Sequence, residues 1–564
     1  MNLQAKSASQ AHWWQIFLPK LVTVFQEGYT LKTFRADALA GLTVAIVAIP
    51  LAMALGIASG TTPDKGLITA VIAGFLISLL GGSRVQIGGP TGAFVVVVFN
   101  VIAAHGYDGL VLATLMAGVM LLIAGFARLG TWIKYIPHPV ITGFTAGIAV
   151  IIFSSQVRDL FGLQIEKVPG DFVEKWAIFW QSKDTFNPSA TVLSFGCLLL
   201  IILLRKYAPK VPAFLMAVLV GSFVVAGLHL PVATIGSVFG ELPHTIPMPE
   251  IPQGISFSRL NELLPSAFTI AFLAGIESLL SAVVADGMID RRHRSNCELV
   301  GQGVANMASA FFGGMPATGA IARTVTNIRS GAKSPVSGMM HAVFILLAMM
   351  FLYPLASYIP LASLASILVI VAWNMSEQEK IRHLMKAPVS ERIVMLITFF
   401  LTVAVDLTVA IEVGVVLAAI IFMHQMSKVV ELETHHHYVE EDTPDVINSN
   451  KKQQVILPDG VASYAFRGPL FFGVATQLID LLEQLNPLPR TIILNMEHVP
   501  LIDASGEDSL RTFLNRCQKK NIFVIFAGVK FHPMAILKRM GIVDQSGANY
   551  IFTNTFEEAV AKAV

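Results

Sequence analysis

The stretch GGPTGA at residues 88–93 decides the fold, because a near-copy, GGMPATGA, stands at residues 313–320. Both copies place a Gly pair and a Pro before Thr-Gly-Ala, and a helical pattern of apolar or small residues follows each. Proline lacks an N–H group and disfavours helix in the residue before it, so each copy should break a helix and restart it. Inside a membrane, such a break is tolerated only where the backbone lines a cavity or is buried in protein.

Two interrupted segments at matching places in two halves of a membrane chain are typical of a transporter's binding site. The restarted helices offer unpaired N–H groups and a positive dipole end, which favour an anion. Gly and Pro are common in transmembrane helices and would account for one copy alone. The paired breaks therefore predict a small anionic substrate held in mid-membrane.

The composition is that of a membrane protein. Of 564 residues, 54% are hydrophobic and 13% are charged, and the mean hydropathy is +0.67. A soluble protein would carry about twice that charge, so the lipid bilayer is an expected partner. The formal net charge of +2 gives no reason to expect nucleic acid. Cys197, Cys297 and Cys517 are scattered, without the spacing of a metal site or a disulfide framework.

The apolar runs predict a polytopic α-helical membrane protein with fourteen segments in two repeats of seven. The segments of repeat 1, about residues 35–230, are predicted at 35–60, 66–82, 91–104, 109–129, 139–157, 189–204 and 212–230. Those of repeat 2, about residues 259–430, are predicted at 260–286, 295–312, after Thr318, and at 336–353, 361–373, 391–405 and 407–426. An odd number of segments per repeat places the two repeats in opposite orientations, which gives an inverted repeat.

Basic residues in the short loops fall on one side of this arrangement, which predicts that both termini are cytoplasmic. Residues 1–34 are expected to be a cytoplasmic segment, with an interfacial amphipathic helix over residues 1–26 and no cleavable signal peptide. Asp406, between the last two segments, is expected at the interface.

The polar residues 431–453 are predicted to be a linker, followed by a small α/β domain over residues 454–564. The run His435-His436-His437 is interpreted as solvated linker, with a metal site as the alternative. Strands are predicted at 461–466, 491–496 and 522–526, and helices at 475–485, 506–519, 533–540 and 556–563.

Several side chains near the breaks are candidates for the site. Thr91 follows Pro90 directly and would present its N–H and hydroxyl to an anion, with Gly92 beside it. Arg323 would add a positive field for an oxyanion; a structural ion pair is its alternative role. The facing rim is predicted at Ala320, Ile321 and Ala322, and the apolar wall at Leu51 and Leu55.

Glu277 lies inside an otherwise apolar segment. An intramembrane carboxylate is expensive and is a functional candidate by default. If it is protonated at neutral pH, it could carry a proton; a purely structural bridge between helices is the alternative.

The chain resembles the sulfate permease (SulP) family of anion transporters over essentially its full length. The resemblance is carried by AGLTVAIVAIPLAMALGIASG at 40–60, GGSRVQIGGPTGAF at 81–94, GIESLLSAVVADG at 275–287, LVGQG at 299–303 and residues 313–331. The soluble part resembles a STAS domain, with LNMEHVPLIDASG at 494–506. Within the family, ESLLSAVVADGM and VAWNMSE (371–377) look most like bacterial C4-dicarboxylate transporters, and bicarbonate transporters come next.

This resemblance implies a core domain (segments one to four and eight to eleven) that slides against a gate domain like an elevator. It implies cation-coupled uptake, with H⁺ and a C4-dicarboxylate such as succinate or fumarate as the first expectation. Na⁺-coupled bicarbonate or H⁺-coupled sulfate symport are the alternatives. It also implies a homodimer in a bacterial inner membrane, with substrate bound at Thr91 and a cytoplasmic protein as a further partner of the STAS domain.

The resemblance also assigns roles to single residues. Bicarbonate-transporting relatives coordinate sodium with an Asp at the place of Glu277 and a hydroxyl one turn later, where Ser281 stands here. Some relatives carry Gln at the place of Leu51, so a specific sulfate expectation is weakened. Ser505 lies in the loop where soluble relatives are phosphorylated, although it also fits a helix N-cap without any regulation.

An enzyme is not expected. The sequence contains no GxxxxGK[ST] nucleotide loop, which argues against ATP-driven transport. No cofactor is expected beyond the coupling ion. A membrane-anchored STAS scaffold is the remoter alternative, but an anchor would not need broken helices or an intramembrane carboxylate.

Overall fold

Long apolar helices make up most of the first of two units, Met1–Val416 and Leu417–Val564, into which the chain divides. The computed structural model describes residues 13–131, 137–165, 168–209, 211–240, 245, 247–250, 252, 255–405, 407–428, 431–435, 457–470, 482, 488–543 and 549–563. Asp406, His436, His437 and all of the helix predicted at 475–485 except Leu482 lie outside these residues.

The first repeat contains the helices expected from hydropathy, together with shorter ones. A 3₁₀-helix over Trp13–Phe17 comes first. The α-helices are α1 (Lys20–Gln26), α2 (Leu31–Ala58), α3 (Pro63–Leu80), α4 (Ala93–Phe126), α5 (His138–Phe161), α6 (Phe172–Gln181), α7 (Pro188–Tyr207), α8 (Ala213–Leu228) and α9 (Ile235–Phe239). Gly106, at φ +72°, interrupts the helical geometry of α4 and separates the predicted half-segment from the next full one.

The second repeat follows the same plan. Its helices are α10 (Phe257–Ile289), α11 (Ser295–Phe311), α12 (Ile321–Arg329), α13 (Val336–Phe351), α14 (Tyr353–Ala356), α15 (Leu361–Met375), α16 (Gln378–Leu384), α17 (Val389–Ala404) and α18 (Leu407–Lys428). Among the described residues, eight helical stretches have the length and apolar character to cross a membrane, and two shorter apolar helices accompany them. Each of the fourteen predicted segments corresponds to a helix or to one part of α4, so the predicted fold class is confirmed.

The membrane helices pack as two groups. In one, α2 and α3 pack on α13, α4 packs on α10 and α11, and α12 packs on α10. In the other, α5 packs on α15 and α17, and α7 packs on α8 and α15. These groups contain the segments that the family resemblance assigns to core and gate.

The prediction of one continuous interfacial helix over residues 1–26 was wrong. The described part consists of the 3₁₀-helix and the short helix α1, separated at Leu18 and Pro19. Pro19 has no N–H to donate and restricts the residue before it, which favours the end of the 3₁₀-helix before Pro19 and a new start at Lys20.

The second unit contains a five-stranded sheet. Two short strands belong to the first unit, β1 (Gly88–Gly89) and β2 (Thr318–Gly319). The strands of the second unit, in spatial order, are β3 (Glu431–His435), β4 (Val461–Arg467), β5 (Thr491–His498), β6 (Phe523–Ala527) and β7 (Tyr550–Thr553). β3 pairs antiparallel with β4 and the other neighbours are parallel. Helices α19 (Ala504–Lys519), α20 (Phe531–Arg539) and α21 (Phe556–Lys562) complete the α/β domain.

The interpretation of residues 431–453 as linker was wrong at its start, because residues 431–435 form β3, which ends at His435. The polar composition misled the prediction. An edge strand tolerates charged residues, and its pairing with β4 is a long-range contact that local composition does not reveal.

The N-cap interpretation of Ser505 was also wrong. Helix α19 begins at Ala504, and its N-cap is Asp503, whose carboxylate accepts a hydrogen bond from the Gly506 N–H at 2.7 Å. Ser505 is an exposed residue of the first turn. Its hydroxyl is therefore not needed to start the helix.

We expect Asp503→Ala to loosen the first turn of α19, because losing an N-cap side chain costs about 0.5–2 kcal/mol. Hydrogen exchange of the full-length protein should show faster exchange of the amides at the start of α19, while Ser505→Ala leaves them unchanged. Equal exchange in both variants would contradict the capping role of Asp503.

We expect Gly66→Ala to destabilise the membrane unit. A Cβ on Gly66 of α3 would lie 1.9 Å from the Ala52 carbonyl oxygen of α2, and overpacking of this kind costs about 1–3 kcal/mol. Thermal unfolding of the purified protein, followed by tryptophan fluorescence, should show a lower midpoint. Gly287→Ala in α10 is the control, since its Cβ would meet no atom within 4 Å; the same loss in both variants would refute this packing argument.

Candidate functional site

The two broken segments meet and pair with each other. In the short strands β1 and β2, Gly88 lies opposite Gly319 and Gly89 lies opposite Thr318. The Ala320 N–H then donates to the Ile87 carbonyl at 2.8 Å. A side chain at Gly319 would collide with the Gln86 amide, whose Nε2 lies 1.5 Å from the ideal Cβ position. This backbone pairing satisfies groups that would otherwise be exposed inside the membrane.

A helix starts directly after each broken segment. Helix α4 begins at Ala93 with Gly92 as its N-cap, and α12 begins at Ile321 with Ala320 as its N-cap. The N–H groups of a first helical turn have no partner within the helix, and they carry the positive end of its dipole.

Both helix starts line one cavity of about 380 Å³. Nearly all the residues predicted for the site lie on its wall, namely Leu51, Leu55, Thr91, Gly92, Glu277, Ala320, Ile321, Ala322 and Arg323. Ser281 is not among the lining residues. The cavity therefore collects positive helix ends, two carboxylates (Glu277 and Glu377) and three cationic side chains (Arg205, Arg323 and Lys380) on a largely apolar wall.

Thr91 and Glu277 contact each other. The Thr91 hydroxyl donates a hydrogen bond of 2.8 Å to Oε2 of Glu277, and both side chains are partly exposed to the cavity. The residue expected to donate a hydrogen bond to the anion and the intramembrane carboxylate are thus direct partners. The sequence does not reveal this contact, because the two residues lie far apart in the chain.

Arg323 lies against the first break. Its side chain is buried, and one guanidinium nitrogen donates to the Pro90 carbonyl. A Cβ on Gly89 would lie only 2.7 Å from the other terminal nitrogen. Arg323 interacts electrostatically with Glu277, but the two form no ion pair within 4.0 Å. Its position suits both a structural tie between the two breaks and a field for an anion.

Ser281 lies next to the cavity but points elsewhere. It is fully buried, and its hydroxyl hydrogen-bonds to that of Thr324 at 3.2 Å. The Thr324 oxygen also accepts the Ile87 N–H at 3.1 Å. Ser281 and Glu277 therefore do not face one another across a common space in this structure.

Sequence reasoning missed Glu298, a fully buried carboxylate of α11. Its two oxygens accept from the backbone N–H groups of Gly82 and Ser83, from the Ser278 hydroxyl and from the Gln302 amide, at 2.8–3.2 Å. Ser278 directly follows Glu277, so Glu298 fixes the part of α10 that carries the site carboxylate. The signal was present in the sequence, as an acidic residue within a span of small residues, but its partners lie far away in the chain.

The stretches at residues 277–288 and 371–377 both contribute to the cavity wall. Glu277, Leu280 and Val284 come from the first of them. Val371, Asn374, Met375 and Glu377 come from the second.

Inverted repeats with two broken helices around a mid-membrane cavity define a class, the secondary transporters, and the positive helix ends suit an anion. Comparisons identify the branch of this class. Residues 34–398 match the sulfate permease family and residues 452–562 match the STAS domain. The chain belongs to the sulfate permease family and is an anion transporter with a C-terminal STAS domain.

Its relatives carry different substrates in their names. YvdB of Bacillus subtilis, provisionally named a sulfate transporter, is 42% identical over 532 residues, which is 93% of this chain and 97% of that protein. The bicarbonate transporter BicA of a Picosynechococcus species is 32% identical over 79% of this chain and 80% of its own length.

Solved structures agree on the fold. The murine Slc26a9 anion transporter in the inward-facing state matches 100% of this chain and 96% of that chain, with a TM-score of 0.85 at 17% identity. The transmembrane domain of a cyanobacterial BicA covers 69% of this chain and 98% of that chain, with a TM-score of 0.58 at 30% identity. The matched family and the named relatives are transporters, in keeping with the expectation that the chain is not an enzyme.

We expect Glu298→Ala to destabilise the membrane unit strongly, because each buried donor left without a partner costs about 1–3 kcal/mol. Glu298→Gln keeps one carbonyl acceptor and should fall between Glu298→Ala and the wild type in thermal unfolding. The control is Glu262→Ala on α10, where the glutamate side chain is 62% exposed. A wild-type midpoint for Glu298→Ala would show that the network does not support the fold.

Proposed function

We propose that this protein is a secondary active transporter that takes up a small oxyanion together with a proton, with Glu277 as the coupling residue. The observation that carries the proposal is the 2.8 Å hydrogen bond from the Thr91 hydroxyl to the Glu277 carboxylate. It joins the residue expected to bind the anion to the residue expected to carry the proton.

The coupling follows from charge. When Glu277 is ionised, it holds the Thr91 hydroxyl and places a negative charge at the rim of the cavity. Two like unit charges 4 Å apart repel by about 4 kcal/mol at an effective dielectric constant of 20. A proton on Glu277 removes this repulsion and frees the Thr91 hydroxyl to donate to the anion. The anion and the proton therefore favour each other's binding, as linked ligands must.

Proton coupling is favoured over sodium coupling by the position of Ser281. The sodium alternative requires Ser281 to share an ion with Glu277, but the Ser281 hydroxyl is hydrogen-bonded to Thr324 and the side chain is buried away from the cavity. A sodium site would need a rearrangement of α10 against α12. Arg323 lies close enough to interact with Glu277 and would compete with a cation there.

A C4-dicarboxylate such as succinate or fumarate is the proposed substrate. Support comes from the two stretches that resemble dicarboxylate transporters, which both contribute residues to the cavity wall. One carboxylate would lie at the starts of α4 and α12, with Arg323 or the cavity-lining Arg205 for the second. Lys380 also lines the cavity but is paired with Glu377, with Nζ and Oε1 2.7 Å apart. The names of the relatives favour sulfate or bicarbonate instead, so both remain alternatives to be tested beside it.

The setting of transport is proposed on the same grounds. The group of helices around the breaks would carry the site past the α5–α15 group in an elevator-like movement. The protein would act as a homodimer in a bacterial inner membrane with both termini cytoplasmic, and the STAS domain would be open to a cytoplasmic protein partner and to phosphorylation at Ser505. A scaffold function would leave the contact of Thr91 with Glu277 without a purpose.

Uptake into proteoliposomes tests the substrate and the coupling ion together. Labelled succinate, sulfate and bicarbonate are supplied in parallel, under an imposed proton gradient or an imposed sodium gradient. We expect succinate to accumulate under the proton gradient and not under the sodium gradient. Accumulation of only sulfate or only bicarbonate would replace the substrate, and accumulation driven by sodium alone would refute the coupling.

Glu277→Gln tests the coupling residue, because glutamine mimics a permanently neutral carboxylate. We expect the variant to exchange labelled for unlabelled anion across the membrane at near wild-type rates but to lose gradient-driven accumulation, by about tenfold or more. Glu262→Gln on the same helix should retain both activities. If Glu277→Gln still accumulates the anion like the wild type, Glu277 has no part in coupling.

A further inference from the structure

A second, larger cavity of about 630 Å³ lies further along the same helices. Helices α2, α4 and α5 contribute Leu51, Ala93 and Thr145 to the first cavity, and each contributes later residues to the second. On α5, Ser155 lies ten residues beyond Thr145, or about 15 Å along the helix axis. The two cavities therefore follow one another along one route between the two groups of helices.

Lys175 on α6 closes one side of this second cavity. The side chain is only 3% exposed, and its ammonium lies 5.7 Å from the centre of the Phe99 ring on α4. Within the described residues, this ammonium forms neither an ion pair nor a hydrogen bond. A charge removed from bulk water is costly unless it is paired, and among the described residues this ammonium has the Phe99 ring beside it but no carboxylate in ion-pair contact.

The other charged side chains that line the cavity are paired or exposed to water, so Lys175 is its main buried and unpaired charged residue. Arg158 also lines it but is paired with Asp159, with Nε and Oδ1 2.9 Å apart. Glu174 lines it as well, but its side chain is exposed and therefore screened by water. Burial lowers the pKa of Lys175 and the nearby Asp171 raises it; an anion in the cavity would add to the effect of Asp171.

Neutral donors line the same cavity as this ammonium. Asn100 of α4 lines the cavity, as does Gln156 of α5, whose side chain is 4% exposed and donates to Ser155 at 2.8 Å. The loop before α6 covers Asn100 closely, since a Cβ on Gly170 would lie 3.3 Å from Oδ1 of Asn100. An ammonium and two amides on the wall of one cavity are donor types suited to carboxylate, sulfate or bicarbonate oxygens.

We infer that the second cavity is an anion site at the outer end of the transport route, in which Lys175, Asn100 and Gln156 hold a small oxyanion before it reaches Thr91. This inference rests on the proposed function and adds an entry site to it. Lys175 binds the anion while it waits there, and it has no role at the proton-coupling residue.

Cysteine labelling tests the site without requiring transport. Asn100→Cys places a thiol on the cavity wall, and the three native cysteines are buried. An anionic and a cationic membrane-impermeant methanethiosulfonate are applied from outside, and their rates of reaction are compared. We expect the anionic reagent to be favoured, and Lys175→Gln to lower the anionic-to-cationic rate ratio by about tenfold or more.

Matched variants isolate the charge. Lys175→Arg should keep the ratio, as should Lys183→Gln, whose exposed ammonium lies over Trp180 outside the cavity. Succinate, sulfate or bicarbonate added outside should slow the anionic reagent when Lys175 is present and have no effect in Lys175→Gln. An unchanged ratio in Lys175→Gln, or reaction only from the inside, would overturn the outer site.

Transport measurements separate this inference from the proposed function. In the same proteoliposomes, Lys175→Gln should raise the external KM for the transported anion about tenfold while leaving proton coupling intact. A wild-type protein that transports none of the three anions but shows the labelling pattern would refute the proposed function and support the site. Normal transport with an unchanged external KM in Lys175→Gln would refute the site alone.

Discussion

The pairing of two interrupted backbones in the middle of the membrane is the constraint on which the structure depends. A helix can stop inside a bilayer only if its free N–H and carbonyl groups find partners. Gly88 and Gly89 find theirs in Thr318 and Gly319, and the Ala320 N–H extends the pairing to Ile87. A side chain at position 319 would force the buried Gln86 amide to move, since its Nε2 lies 1.5 Å from the ideal Cβ position. The result is two helix starts that open on one cavity.

Polar groups behind the cavity keep the breaks in place. Thr324 accepts the Ile87 N–H, while the Glu298 carboxylate joins the Gly82–Ser83 backbone to Ser278 and Gln302. A buried carboxylate with four donors is compensated for the loss of water, and it fixes the register of the helices that supply those donors. The position of Glu277 thus depends on a second carboxylate, that of Glu298. Glu298 does not line the cavity, but it accepts a hydrogen bond from Ser278, the residue after Glu277.

The sequence was informative wherever a local pattern carries the physics. Hydropathy predicted the membrane segments, and the paired Gly-Pro stretches predicted where the helices stop, because proline acts on its own residue and the one before it. Glu277 stood out since a carboxylate is rare in an apolar span. Contacts between residues far apart in the chain could not be predicted: no local pattern around Thr91 indicates that it contacts Glu277, 186 positions away. The same reason hid the edge strand β3, whose partner β4 lies beyond the polar stretch. The N-cap was missed for a local reason: Asp503 and Ser505 are both good capping residues, and the choice depends on the residue at which the helix begins.

The central claim is that the anion enters with a proton because both act on the contact between Thr91 and Glu277. The most direct measurement is the proton flux itself, read by a pH-sensitive dye trapped inside proteoliposomes when the transported anion is added outside, with no proton gradient imposed. We expect the lumen to acidify as the anion enters, and Glu277→Gln to abolish this acidification. Entry of the anion into wild-type vesicles without any movement of protons would contradict it.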